Sequence, residues 1–179
     1  MEQVSSNRRI AKNTLFLYIR MLFVMAVTLY TSRLVLDALG IEDYGLYNVV
    51  GGIVSIFAII NGALSSGSSR FITFELGRGD KERLGKTFSA SFIIHTVIAF
   101  IVFVLAETIG LWYVNNVLVV PEGRLVVANW LYQFSVLTCM LALTQVPYSA
   151  CIIAHEEMNI YAFVGIAEAV FKLLMVLFL

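Results

Sequence analysis

Two ionisable side chains interrupt the last apolar run of the chain: Glu168 and Lys172 lie about eight and twelve residues into the stretch 160–179. A charge in the middle of a membrane-spanning helix costs about 2.5–3.5 kcal/mol on insertion scales, so two of them need a purpose. Four residues apart, they share a helix face, with Glu on the N-terminal side that favours an ion pair. Tyr161 and Gly165 fall on roughly the same stripe. Two chemistries fit. One is a structural ion pair between helices. The other is a polar face turned toward a bundle interior or a water-filled cavity, with Lys172 meeting an anion and Glu168 holding it ready or coupling to a proton or other ion.

Arg20, some six residues into the stretch 15–36, is a third charge in an apolar run. It either snorkels back to the headgroups or faces a cavity of the same kind. Arg33 is thirteen residues further on, roughly 140° around the helix at 100° per residue. It has an interfacial explanation at the far end of the run, so Arg20 is the stronger candidate. The candidate substrate-binding residues are therefore Lys172, Arg20 and Glu168.

Soluble-enzyme chemistry finds little to stand on, and the protein is expected not to be an enzyme. His155-Glu156-Glu157 begins like a zinc-protease motif, but Met158 and Asn159 follow and no second histidine completes it. Gly77-Arg78-Gly79 runs into Asp80-Lys81-Glu82, which is neither a dinucleotide fingerprint nor a P-loop. His95 reads as a hydrogen-bonded interhelical residue before it reads as a proton carrier. Cys139 and Cys151 have no metal-ligand neighbours and read as small packing residues. No metal and no cofactor are expected.

The elements that must position these residues are membrane helices. Of 179 residues, 60% are hydrophobic and only 13% charged, and mean hydropathy is +0.88. Soluble domains are nearer half apolar and a quarter charged. The net charge is zero, so no whole-chain field argues for nucleic acid. Five stretches qualify as spans: 15–36, 46–64, 88–112, 125–146 and 160–179. About 20 residues at 1.5 Å rise cross a 30 Å hydrocarbon core. Barrel-type alternation is absent, so the spans are helices. The expectation is an all-α integral membrane protein, a polytopic helix bundle forming one membrane domain over 1–179. Pro147 is expected to end the fourth span or kink it. The first run has no small-residue cleavage pattern and is read as a retained helix, not a signal peptide.

Charge asymmetry orients the bundle. The N-terminus carries Arg8, Arg9 and Lys12, and the 65–87 loop carries Arg70, Arg78, Lys81, Arg83 and Lys86, five of the twelve Lys and Arg residues. The opposite side has Arg33 and Arg124 beside Asp37, Glu42, Asp43, Glu107 and Glu122. By the positive-inside bias, the N-terminus and the 65–87 loop face the cytoplasm, where the loop can also meet anionic headgroups. The loop is expected to be partly helical, with Asp80 and Glu82 spaced for pairs with Arg83 and Lys86. Gly62, Ser66 and neighbouring small residues suit close helix packing. The last run reaches residue 179 without a polar flank, and the five helices form no pair of repeats. Transporters usually have two related halves, so the chain is expected to be the N-terminal part of something longer.

Three segments carry a resemblance. LGIEDYGLYNVV is similar to the LGxxxYGxY turn that opens Wzx-type polysaccharide flippases. SSRFITFELGRGDKERLGKTFS resembles their second-to-third helix junction, and VPYSACIIAHEEMNIYAFVGIAEAVFKL their fourth-to-fifth connection. The three occur in order along nearly the whole chain. Together they resemble the superfamily of oligosaccharide-lipid flippases and MATE-type exporters. The resemblance implies a bundle of about twelve to fourteen helices in two lobes, working by alternating access in the bacterial inner (plasma) membrane. Its substrate would be an undecaprenyl-diphosphate-linked oligosaccharide for surface polysaccharide or lipopolysaccharide. Its coupling ion would be H+ or Na+, and its partners the bilayer and other polysaccharide-assembly membrane proteins. Basic cavity residues meet the diphosphate in such proteins, a role open to Arg20 and Lys172. The alternatives are a cation-coupled multidrug exporter, which would favour acidic cavity residues such as Glu168, and a non-transporting membrane fragment with a structural or assembly role.

Overall fold

A computed structural model describes residues 2–56, 58–121 and 123–178, with side chains from residue 11 onward except those of 58–60. Glu122 and the side chains of Arg8 and Arg9, which contribute to the charge asymmetry, lie outside the described residues. Helix α1 runs Glu2–Ser55, α2 Ala58–Arg78 and α3 Lys81–Leu105; a π-helical turn, Ala106–Gly110, leads into α4, Leu111–Asn116. Helices α5, Leu125–Ala154, and α6, Met158–Leu177, complete the chain. No strand occurs among the described residues. Four helical segments there are long and apolar enough to cross a membrane: Ala11–Ser55, Lys81–Asn116, Leu125–Ala154 and Met158–Leu177. The fold is an all-α membrane architecture.

The outward surfaces agree with a lipid setting. Phe163, Phe171, Met175, Trp130 and Phe100 are each more than three-fifths exposed, where a water-soluble monomer would break up so large an apolar surface. Many buried positions are small by contrast, with Ala99, Ala106, Ala128, Ala150 and Ala162 nearly inaccessible. Small side chains let helix backbones approach where lipid offers no hydrophobic drive.

Three boundaries differ from the sequence expectation. The segment after the first span is shorter than a loop: α1 is two helices that meet across a kink at Gly40, whose φ of 74° and ψ of 174° are non-helical. Glycine takes that conformation without a Cβ penalty, which is why the break falls there. The expected span 46–64 is not one helix, because α1 ends at Ser55 and α2 begins at Ala58. Finally, α5 runs through Pro147 to Ala154. Pro147 costs one intrahelical bond, yet it is fully buried and the helix is not terminated.

The chain divides into two compact units. The first comprises Met1–Ile41 and Ile152–Leu179. In it, Asn13 Nδ2 donates to the Glu156 carbonyl oxygen at 3.3 Å, holding the N-terminal part of α1 to the α5–α6 turn. Helix α6 buries Ala162, Gly165 and Ala169, a stripe at three- and four-residue spacing.

The second unit is Glu42–Cys151. Its larger core joins Leu46, Val50 and Val54 of α1 to Ala106, Val114, Ala128, Tyr132 and Val136. A smaller cluster sets Ala99 and Val102 of α3 against Leu143 of α5. The basic segment is a tight helical hairpin. Gly79 turns it at a φ of 73°, and Asp80 caps α3 by accepting from the backbone N–H groups of Glu82 and Arg83, each at 3.1 Å. Arg83 pairs with Asp80 at 3.3 Å and Lys86 with Glu82 at 2.6 Å, at the spacings the sequence offers. At the other end, Arg124 pairs with Asp43 at 3.1 Å, which brings together two residues that the alternation of spans assigns to one side.

Candidate functional site

Arg20 sits in a setting built by two helices of the first unit. Its guanidinium carbon lies over the Tyr161 ring, 4.4 Å from the centroid, a cation–π arrangement that fixes the plane of the group. Against one edge of the guanidinium lies Gly165, where a Cβ would collide with Nε and crowd Cζ and Nη2. Nε is buried and has no hydrogen-bond partner among the described residues. A guanidinium set over an aromatic face presents a planar fork of donors, a shape suited to an oxyanion. One turn away, α1 and α6 border an apolar cavity of about 460 Å³, lined by Phe16, Ile19, Asn159, Ile160, Phe163 and Ile166 among others. Cation and apolar groove together match an amphipathic anion.

The other two candidates are not brought to this point. Glu168 and Lys172 are both exposed on α6. Among the described residues no ion pair joins them, although their spacing permits one. Shared spacing on one helix is therefore not enough to bring the two side chains together. The stripe read from the sequence therefore splits: Tyr161 and Gly165 meet Arg20, and Glu168 and Lys172 lie outside the contact. Arg33 reaches Asp37 at 4.0 Å, both largely exposed, as its interfacial reading requires.

Two polar groupings in the second unit extend beyond the sequence reading. His95 is buried, but its Nδ1 donates to the Ser91 carbonyl oxygen at 2.7 Å, within its own helix. The link between α2 and α3 is made instead by the Ser68 and Ser91 hydroxyls, 2.9 Å apart. These line a cavity of about 400 Å³ with Gly67, Thr87, Ala90 and others. Around the π-helical turn, Gln133 Nε2 donates to Glu107 Oε2 at 3.1 Å, and the Tyr132 hydroxyl donates to the Ala106 carbonyl oxygen at 2.8 Å. Beyond them, Asn115 and Asn129 exchange amide hydrogen bonds of 3.1 and 3.0 Å. The sequence signal for this ladder is an Asn and a Gln four apart, Asn129 and Gln133, in a helix without charged residues.

No protein-family model, curated protein or solved structure matches the chain.

Proposed function

We propose that the protein moves a lipid-linked oligosaccharide across the bacterial inner membrane, as a flippase supplying surface polysaccharide or lipopolysaccharide synthesis. The observation that carries this reading is the oriented Arg20, stacked on Tyr161 and lying against Gly165. A diphosphate joined to a polyprenyl chain needs a cation beside an apolar surface, and the α1–α6 groove offers both. The glycan head cannot cross hydrocarbon unaided, so a polar path must shield it. The three motif-like segments support the same reading, and the apolar helices are compatible with it. Lys172 and Glu168, exposed on α6, serve as further contacts for the polar head or its coupling ion, H+ or Na+, with other polysaccharide-assembly membrane proteins as partners.

The test is transbilayer movement of a fluorescent polyprenyl-diphosphate sugar in proteoliposomes of the full-length protein. Arg20→Gln should lower the rate at least tenfold and Arg20→Lys should retain part of it, because a point charge replaces a planar fork. Unchanged movement by a well-folded Arg20→Gln protein would sink the reading.

A further inference from the structure

The α2–α3 hairpin of the second unit combines a basic tip with an apolar groove. The groove has a volume of about 400 Å³ and is lined by Gly67, Ser68 and Phe71 of α2 and by Ala90, Ser91 and Ile94 of α3, among others. Small-ligand clefts run from about 300 to 1,000 Å³. Its hydroxyls are already engaged, since Ser68 and Ser91 bond each other at 2.9 Å. The remaining walls are mostly small or apolar, and Phe71 and Ile94 are more than half exposed. Such a surface suits a hydrocarbon chain.

One face of α2 leads from the groove to the charge. Gly67, Phe71, Phe74 and Arg78 recur at three- and four-residue spacing and share that face. The Arg78 guanidinium carbon lies 5.6 Å from the centroid of the Phe74 ring, within cation–π range. At 1.5 Å rise, Phe71 is about 10 Å and Ala63 about 22 Å along the helix from Arg78. With Arg78 at headgroup level, the groove therefore lies at acyl-chain depth. Arg83 is paired with Asp80 and Lys86 with Glu82. That leaves Arg70, Arg78 and Lys81 against Glu75, so the hairpin is net positive.

We propose that this hairpin seats one anionic phospholipid, its phosphate at Arg78 and one acyl chain in the α2–α3 groove. Charge complementarity selects the head, because basic pockets between membrane helices take anionic headgroups. The guanidinium fork matches phosphate oxygens. A zwitterionic lipid fills the same groove but gains nothing from the net charge of the hairpin. The site shares no residue with the Arg20 contact.

The test is photo-crosslinking of the full-length protein in phosphatidylcholine nanodiscs. A trace of phosphatidylglycerol or of phosphatidylcholine carries a photoreactive group midway along one acyl chain, and labelled peptides are mapped by mass spectrometry. Phosphatidylglycerol should label the groove peptides of α2 and α3 about fivefold more strongly, the order of one basic residue's contribution at a lipid surface. Arg78→Gln should make the two lipids equal. Lys86→Gln removes the same charge at a cation already paired with Glu82, and should leave the preference in place. Gly67→Leu, which fills the groove, should abolish labelling there with Arg78 intact. If that variant fails to accumulate, Ala90→Leu on the opposite wall gives the same reading. Equal labelling by both lipids, a preference that survives Arg78→Gln, or labelling that survives the filled groove would overturn the assignment. Displacement of the phosphatidylglycerol by a polyprenyl diphosphate would overturn it as well, by giving the groove to the cargo.

Discussion

Arg20 and Gly165, on different helices of one unit, approach so closely that a methyl group at Gly165 would occupy the space of the guanidinium. The missing side chain leaves room for Arg20 to sit over the Tyr161 ring. The cation is therefore placed by a glycine and an aromatic ring, and among the described residues no carboxylate pairs with it, which leaves its charge available to a ligand.

Gly165→Ala should displace Arg20 at little cost to folding. Helix propensity favours Ala by about 1 kcal/mol. Overpacking opposes it by about 1–3 kcal/mol, and the flexible Arg20 side chain absorbs part of that by moving. The expected result is a melting temperature within a few degrees of wild type with transport reduced toward that of Arg20→Gln. Gly62→Ala, where no atom lies within 4 Å of the added Cβ, is the control and should retain transport. Full transport by Gly165→Ala would show that the stacked position of Arg20 is not needed.

The π-helical turn gives a prediction about stability. Tyr132→Phe removes a donor from the Ala106 carbonyl and should cost about 0.5–1.5 kcal/mol. Gly110→Ala drives a Cβ into the Tyr132 hydroxyl and should cost about 1–3 kcal/mol, less any helix-propensity gain. In the double variant the colliding oxygen is gone, so the two costs should sum to less than their separate values by at least 0.5 kcal/mol. Additive losses in chemical denaturation of the detergent-solubilised protein would show that the hydroxyl does not set the turn.

Helix identity was legible because membrane spans announce themselves by length and apolar content, and the Asp80 cap and its Arg83 and Lys86 pairs were legible because they are local. What escaped was long-range or conformational. LGIEDYG reads as a polar turn, yet only Gly40 leaves the helix. Arg20 and Tyr161 are 141 residues apart, and no spacing rule connects them. Glu107 counts with the outer acids by position, and its hydrogen-bond donor is Gln133, twenty-six residues later. His95 offers a donor to any neighbour, and the nearest carbonyl, one turn back at Ser91, takes it. Glu168 and Lys172 show the converse, since correct spacing did not produce a pair.

The orientation is open to a direct test. Glu42 and Lys81 are both exposed, one beside the Arg124–Asp43 pair and the other at the tip of the basic hairpin. Single cysteines there, with Cys139 and Cys151 replaced by Ala, would be treated in intact cells with a membrane-impermeant thiol reagent. Position 42 should label and position 81 should label only after permeabilisation, as the positive-inside bias requires. The reverse pattern would invert the topology.

Lys172 and Glu168 should behave as independent residues. No ion pair joins them among the described residues, so a double-mutant cycle of Lys172→Ala with Glu168→Gln should show a coupling energy below about 0.5 kcal/mol. A larger coupling in thermal or chemical denaturation would reinstate the ion pair. Their contribution to transport is a separate measurement, because neither change disturbs a buried partner. If Lys172 meets the polar head of the substrate, Lys172→Ala should slow the movement of a diphosphate-linked sugar while Lys172→Arg preserves most of it. Equal rates for wild type and Lys172→Ala would leave Arg20 as the cation that receives the substrate. The Arg20→Gln protein would then show no further loss when Lys172→Ala is added to it.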